Sequence, residues 1–353
     1  MSTFSFSFSG DDIEDTQITD SEPQPLSRSH AAETGTLQRS TTSSAFPIGS
    51  QLLQPQTHDL EPMLRSLPSK IVYSTLVIRL DDGTDISIPR RELWDVRVQL
   101  MAEEDDEGLG NLGKDDVRTG VYEGGFKSWE SSVDVVKLLH ERRRNVDFSG
   151  KILELGCGTA LPSLAVFQWL LQNPISTEPS HLGLADYNPT VLQLVTLPNI
   201  LLSWAQTTRQ ESWQPEGELD LDEQTIQDFL SSLQSRQVKL SFFSGAWSQE
   251  FVNLVKTNMD SRTSRLTIIG AETIYSPVAL KSFAETLVGL LGSMPDEERT
   301  ALVAAKKVYF GVGGSMEDFC DIVRGHGCTV EQIREESDGV RRSVVEVKIA
   351  QSV

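Results

Sequence analysis

A carboxylate followed by two alternating glycines, Glu154-Leu-Gly156-Cys-Gly158, is the part of this chain best equipped to hold a small molecule. The residues before it, Lys151-Ile-Leu, read as a short buried strand, and Leu161 to Leu171 has helical apolar spacing. A strand that ends in Gly-x-Gly and opens a helix lets a nucleotide-like ligand touch the backbone, because glycine permits the sharp turn and the close approach. The third glycine of the dinucleotide pattern is missing, with Ala160 in the stretch that follows. An acid-x-Gly-x-Gly run is poorly suited to a pyrophosphate and well suited to the cationic amino-acid end of S-adenosylmethionine. The reading therefore favours a methyl donor over a nicotinamide cofactor.

Other residues fall where such a ligand needs them. Leu182-Gly-Leu-Ala-Asp186 reads as the next strand, and an acid at the carboxyl end of strand two is placed to accept from ribose hydroxyls. Asn188-Pro189 then starts a helix, with proline in its first turn. Val238 to Gly245 is a third strand, and the Trp247 that follows either stacks on a base or serves as an ordinary interface aromatic. Leu266 to Glu272 is a fourth strand, continuing to Tyr275. In such sheets the reacting group lies at the carboxyl ends of the central strands, so Glu272 and Tyr275 are the catalytic candidates by position. Upstream, Gly124-Gly-Phe-Lys-Ser-Trp129-Glu130 leads into an amphipathic helix. Trp129 offers a flat face and Glu130 a carboxylate, though a core tryptophan and a first-turn acid explain them equally well.

The elements that must position these residues alternate strand and helix from Lys151 onward. Seven strands are predicted, the last two joined as a hairpin through Asp338-Gly339. Thr300–Phe310 is the fifth, and Met316–Arg324 a helix before the sixth. That count and ending predict an α/β class I (Rossmann-like) methyltransferase sheet with its last strand antiparallel. Before it, Ile71–Leu80 and Thr84–Ile88 predict an accessory hairpin within residues 66–120, turning at Asp81-Asp-Gly-Thr84. Residues 1–65 are rich in Ser, Thr, Gln, Pro and acids and read as a disordered tail before a domain spanning 66–353. Residues 205–235 carry seven acids and the single base Arg209, and read as a solvated insertion, partly helical over Asp222–Leu233.

Composition narrows the function classes. The chain has 353 residues and a formal net charge of -20, from 51 acids against 31 bases. Phosphate backbones repel such a chain, so direct nucleic-acid binding is not expected, whereas a basic protein partner suits it. The three cysteines lack zinc-type spacing, so no metal is expected and reduced thiols are the simplest reading. No apolar run approaches membrane-spanning length and no secretion signal opens the chain, so a soluble, intracellular protein is expected.

Taken together, Gly124–Glu130, Leu153–Gly158, Asp186-Tyr-Asn188, Leu197-Pro-Asn199, Phe243–Trp247, Glu272–Tyr275 and Lys307–Gly314 resemble the histidine protein methyltransferase family over roughly residues 70–350. The resemblance implies transfer of one methyl from S-adenosylmethionine to the tele nitrogen of a histidine in a large-subunit ribosomal protein. A monomer in cytoplasm and nucleus is expected. It also implies that Glu154, Gly156 and Gly158 hold the donor's amino-acid end, with Trp129 and Glu130 lining the same site. Asp186, with Asn188 beside it, would bind the ribose, Trp247 would border adenine, and Glu272 and Tyr275 would face the acceptor. Two alternatives stay open at this point: a protein-lysine methyltransferase of the same fold, and a non-catalytic factor that escorts a ribosomal protein.

Overall fold

The structure is a computed structural model that describes residues 52–103, 125–144, 148–173, 178–259, 265–292, 298–309 and 313–350. Most of the expected tail (residues 1–51), Gly124 and Phe310 lie outside the described residues.

Among the described residues the order begins with β1 (Gln56–His58), α1 (Leu60–Arg65), β2 (Lys70–Arg79), β3 (Asp85–Arg91) and α2 (Leu93–Ala102). Then come α3 (Glu130–Arg142), β4 (Gly150–Leu155), α4 (Leu161–Gln172) and β5 (Ser180–Asp186). A helical turn at Pro189–Val191 passes through a π-turn, Leu192–Thr196, into α5 (Leu197–Thr208). The order continues β6 (Glu216–Asp220), α6 (Glu223–Ser235), β7 (Val238–Ser244), α7 (Gln249–Asn258), β8 (Arg265–Ala271) and α8 (Pro277–Leu291). It closes with β9 (Glu298–Lys306), α9 (Met316–Gly325), β10 (Cys328–Glu336) and β11 (Arg342–Ile349).

Among the described residues the main sheet has eight strands in the order β1-β7-β5-β4-β8-β9-β11-β10. Its five central strands are parallel, and β11 runs antiparallel to β9 and to β10. Leaving aside β1, this sheet has the seven strands expected, with the reversed final hairpin. Every residue of β4 is buried, which a strand covered by helices on both faces requires. One core cluster joins β2, α3, α4, α5 and α6, and a second lies among α7, α8 and α9. Parallel registers align the strand ends: Leu155 lies opposite Ala185 and Asp186 opposite Ser244, while Glu154 faces Ile269 and Ala271 faces Ala304. The candidate residues of several strands thus arrive at one edge.

The expected hairpin forms between β2 and β3, with Tyr73 opposite Arg91 and Arg79 opposite Asp85. Two of its surroundings differ from expectation. Residues 205–235 are not a solvated excursion. Their strand β6 adds to the open edge of β2, giving a three-stranded sheet in the order β3-β2-β6. Asp222 caps α6 by accepting from the Thr225 N–H at 2.7 Å, and Phe229 and Leu233 of that helix are buried. Trp213 stacks on Tyr73 with ring centroids 4.2 Å apart. The apolar residues of this acidic stretch face inward: Trp213 lies on the hairpin, whereas α6 packs against β7 and sets Phe229 against Trp204 of α5. The acids that dominate its composition lie mainly on the other side.

The second difference concerns the tail. Residues 52–65, which their composition groups with the disordered stretch, form β1 and α1. β1 pairs antiparallel with β7, and Met63 and Leu64 are buried. An unpaired edge of the main sheet supplies the ordering energy that local composition does not.

If α6 is core, Phe229→Ala destabilises the protein by about 3–5 kcal/mol in chemical denaturation. A midpoint unchanged within error would return residues 205–235 to the status of a solvated insertion.

Candidate active site

The donor loop is built on backbone conformations that few residues adopt. Gly156 and Gly158 have φ of +64° and +49°, and Ala160, with φ of +60°, opens α4. A Cβ at Gly156 would lie 2.8 Å from the Thr273 methyl and 3.6 Å from the Trp247 ring. At Gly158 it would lie 3.0 Å from the Gly125 carbonyl. The loop is therefore walled by Thr273 and Trp247 on one side and by the Gly125 segment on the other. Glu154 is buried, and its Oε2 accepts the Ser163 N–H in the first turn of α4 at 2.9 Å. Burial pushes the Glu154 carboxyl up to about 8, against the opposing pull of that hydrogen bond.

Asp186 organises the neighbouring loop. Its Oδ2 accepts the Gly158 N–H and its Oδ1 accepts the Asn188 N–H, each at 3.0 Å. One carboxylate thus ties the ends of β4 and β5 together. The Gly245 N–H donates to the Tyr187 carbonyl at 3.1 Å, which brings the Trp247 segment beside this loop. The indole N–H of Trp247 and the hydroxyl of Thr273 are both buried without a hydrogen-bond partner. Two orphaned polar groups against a glycine cradle are what a polar, nucleoside-sized ligand would satisfy.

Glu272 occupies the end of β8 in a left-handed conformation, φ +58°, which costs a non-glycine residue of order 1–3 kcal/mol. Three contacts hold it there. Its backbone N–H donates to the Ala304 carbonyl at 2.9 Å, Ser131 Oγ donates to Oε1, and the Tyr309 hydroxyl donates to Oε2. Burial raises the Glu272 carboxyl above its ordinary range. The Ser131 and Tyr309 donors and the nearby Lys306 charge pull it back down. The Lys306 ammonium lies over the Trp129 ring, 5.3 Å from its centroid. Tyr275 packs on the second core cluster, so the hydroxyl that reaches Glu272 is that of Tyr309. Glu130 opens α3 with Trp129 at its N-cap, and its carboxylate takes a hydrogen bond from Arg342 at 3.2 Å. Arg342 also binds Asp134 at 2.7 Å, clamping α3 to β11.

The structure therefore gathers Glu154, Gly156, Gly158, Asp186, Asn188 and Trp247 around one loop, and Trp129, Glu130 and Glu272 around its neighbour. Sequence reasoning did not single out Ser131, Thr273, Lys306 or Tyr309. Tyr309 and Lys307 lie in a stretch that carries the family resemblance, but nothing local marks the tyrosine as a partner for a residue 37 positions away.

Comparison with known proteins decides the class. The chain is 34% identical to histidine protein methyltransferase 1 of Saccharomyces cerevisiae, over 90% of this chain and 89% of that one. The chain belongs to the histidine protein methyltransferase family. The protein of that name from Schizosaccharomyces pombe is 35% identical over 75% of each chain, and the Bos taurus homolog is 27% identical over 90% of this chain and 82% of its own. No family model matches the chain. Among solved structures, a SAM-dependent methyltransferase from Agrobacterium tumefaciens has 9% identity and a TM-score of 0.39 over 79% of this chain and 71% of that one. At that overlap the strand order, not the superposition, is the argument for the fold. The protein is a protein-histidine methyltransferase whose methyl donor is S-adenosylmethionine. No helix among the described residues is long and apolar enough to cross a membrane.

The raised Glu154 carboxyl makes stability depend on pH. The folded protein keeps this proton up to about pH 8, whereas the unfolded chain releases it near 4.5. Unfolding therefore releases a proton between those values, and stability falls as pH rises through that window. Glu154→Gln removes this contribution, so its melting temperature relative to wild type rises from pH 5 to pH 8. A constant difference across that range would contradict the assignment.

Proposed function

We propose that the enzyme methylates the tele nitrogen of one histidine in a large-subunit ribosomal protein, with the imidazole held at Glu272. The observation that carries the acceptor placement is the Glu272 carboxylate, fixed in a strained conformation between Ser131 and Tyr309 and next to the donor-loop wall at Thr273. The ribosomal substrate is supported by the family resemblance and by a net charge of -20, which suits a basic protein. On the same reading the enzyme works as a monomer in cytoplasm and nucleus, where ribosomal proteins are made and assembled.

The donor supplies an electrophilic methyl on a sulfonium. Gly156 and Gly158 let the backbone approach it, and Glu154 shapes that loop and lies toward its amino-acid end. Asp186 and Asn188 take the ribose, while Trp247 and Thr273 offer their unpartnered polar atoms to the nucleoside side. Trp129 and Glu130 line the same donor site on the side nearest Glu272.

The chain's task at the acceptor is mostly geometric. Neutral imidazole, with a reference pKa of about 6.5, already has a lone pair at neutral pH, so positioning supplies much of the acceleration. What must be fixed is the tautomer, with the tele nitrogen bare and the other carrying its proton. Glu272 accepts a hydrogen bond from that second nitrogen and stabilises the imidazolium as positive charge develops. Each carboxylate oxygen has one lone pair occupied by a hydroxyl, which leaves the other for the acceptor.

Transfer of labelled methyl into ribosomal proteins from cells lacking this enzyme, mapped by mass spectrometry, tests the substrate. Label on a single tele-histidine is the expected result, and label on lysine or on the other ring nitrogen would overturn it. Glu272→Gln is expected to lower kcat by about 10²–10⁴-fold with donor Kd unchanged. Tyr309→Phe removes a donor that favours the charged carboxylate, so the acid limb of its kcat profile moves to higher pH than in wild type. Full turnover in Glu272→Gln would remove the glutamate from the reaction.

A further inference from the structure

The two loops assigned to the donor's nucleoside half are tied together from outside by a segment that precedes the catalytic sheet. The Ala246 N–H, one residue before Trp247, donates to the Leu53 carbonyl at 2.9 Å. Gly245 has a φ of +105°, and a Cβ there would lie 2.6 Å from the Gln54 carbonyl and 2.8 Å from Pro55 Cα. That contact is backbone against backbone, so no side chain can yield to relieve it. β1 then runs along β7, with Gln56 opposite Ser244 and His58 opposite Phe242. His58 Nε2 lies 2.7 Å from Ser244 Oγ, on the residue that faces Asp186 in the sheet. Seven residues after Gln56 the same segment reaches the second loop, where Gln193 Nε2 donates to the Met63 carbonyl at 3.0 Å. Gln193 lies in the helical turns that follow Asn188.

We infer that residues 53–63 are a positioning strap for S-adenosylmethionine, holding the Trp247 loop and the Asp186 loop at the separation the nucleoside requires. The inference rests on the reading that these loops border adenine and ribose. The strap acts through Trp247 and Asp186 rather than on the donor itself. Three hydrogen bonds and a three-residue strand fix its two ends. A misplacement of about 1 Å in such a loop is enough to cost large factors in binding or rate.

Two truncations of the full chain locate the effect. Removal of residues 1–51 is expected to leave donor Kd unchanged. Removal of residues 1–59 takes away β1 and is expected to raise the Kd of S-adenosylmethionine and the inhibition constant of adenosine together, each by about tenfold. KM for the protein acceptor stays constant, a split that general loss of fold would not produce. His58→Ala is the milder variant should the longer truncation fail to fold, and it is expected to weaken donor and adenosine in parallel, with His58→Gln partly restoring both. Unchanged donor affinity in folded protein lacking 1–59, or in His58→Ala if that truncation does not fold, would overturn the strap. Trp247→Leu separates the two layers: if it leaves donor and adenosine affinity intact, the reading of the Trp247 loop fails, whatever the truncations do.

Discussion

The parallel register of β4 between β5 and β8 is the constraint on which the site depends. β4 is buried along its whole length, so helices must cover both of its faces and neither neighbour can slip without exposing apolar side chains. That register brings the ends of β4, β5, β7 and β8 to one edge, and every group assigned to donor or acceptor follows from one of those ends or from α3 above them. The Asp186 carboxylate then converts sheet register into loop geometry. By accepting the Gly158 and Asn188 N–H groups together, it makes the glycine loop and the loop after β5 a single unit.

The acceptor side is organised differently. Glu272 lies where the end of β8 meets β9, the residues after β9, and α3, and each of those three contributes one contact: Ala304 to its backbone, Tyr309 and Ser131 to its carboxylate. A left-handed glutamate persists only when its surroundings over-determine it, and three convergent bonds do so. The Arg342 bridge from β11 to Glu130 and Asp134 keeps the start of α3, and with it Ser131, from drifting away. The buried cation is matched by two carboxylates, which is the condition under which a buried charge is tolerated.

Around this centre the chain spends its remaining residues closing edges. β6 covers the open edge of β2, and β1 covers β7. An uncovered strand edge invites pairing with other chains, and both are closed here by segments whose composition is largely polar. The acidic stretch of residues 205–235 therefore keeps its charge on the outside while Phe229 and Leu233 pack inward.

The sequence by itself determined the parallel sheet, the glycine loop and the positions of Glu154, Asp186, Trp247 and Glu272. These are read from short-range patterns: an apolar run ending in Gly-x-Gly, an acid at a strand end, a hairpin turn at Asp338-Gly339. Such patterns persist because a strand's alternation and a turn's φ are local properties. Tertiary structure alone decided the partners. Tyr309 reaches Glu272, Arg342 engages Glu130, and residues 52–65 leave the tail to become a strand and a helix. Each of those depends on an edge or a cavity made by residues far away in the chain, and a polar segment takes on order only where such a partner is present.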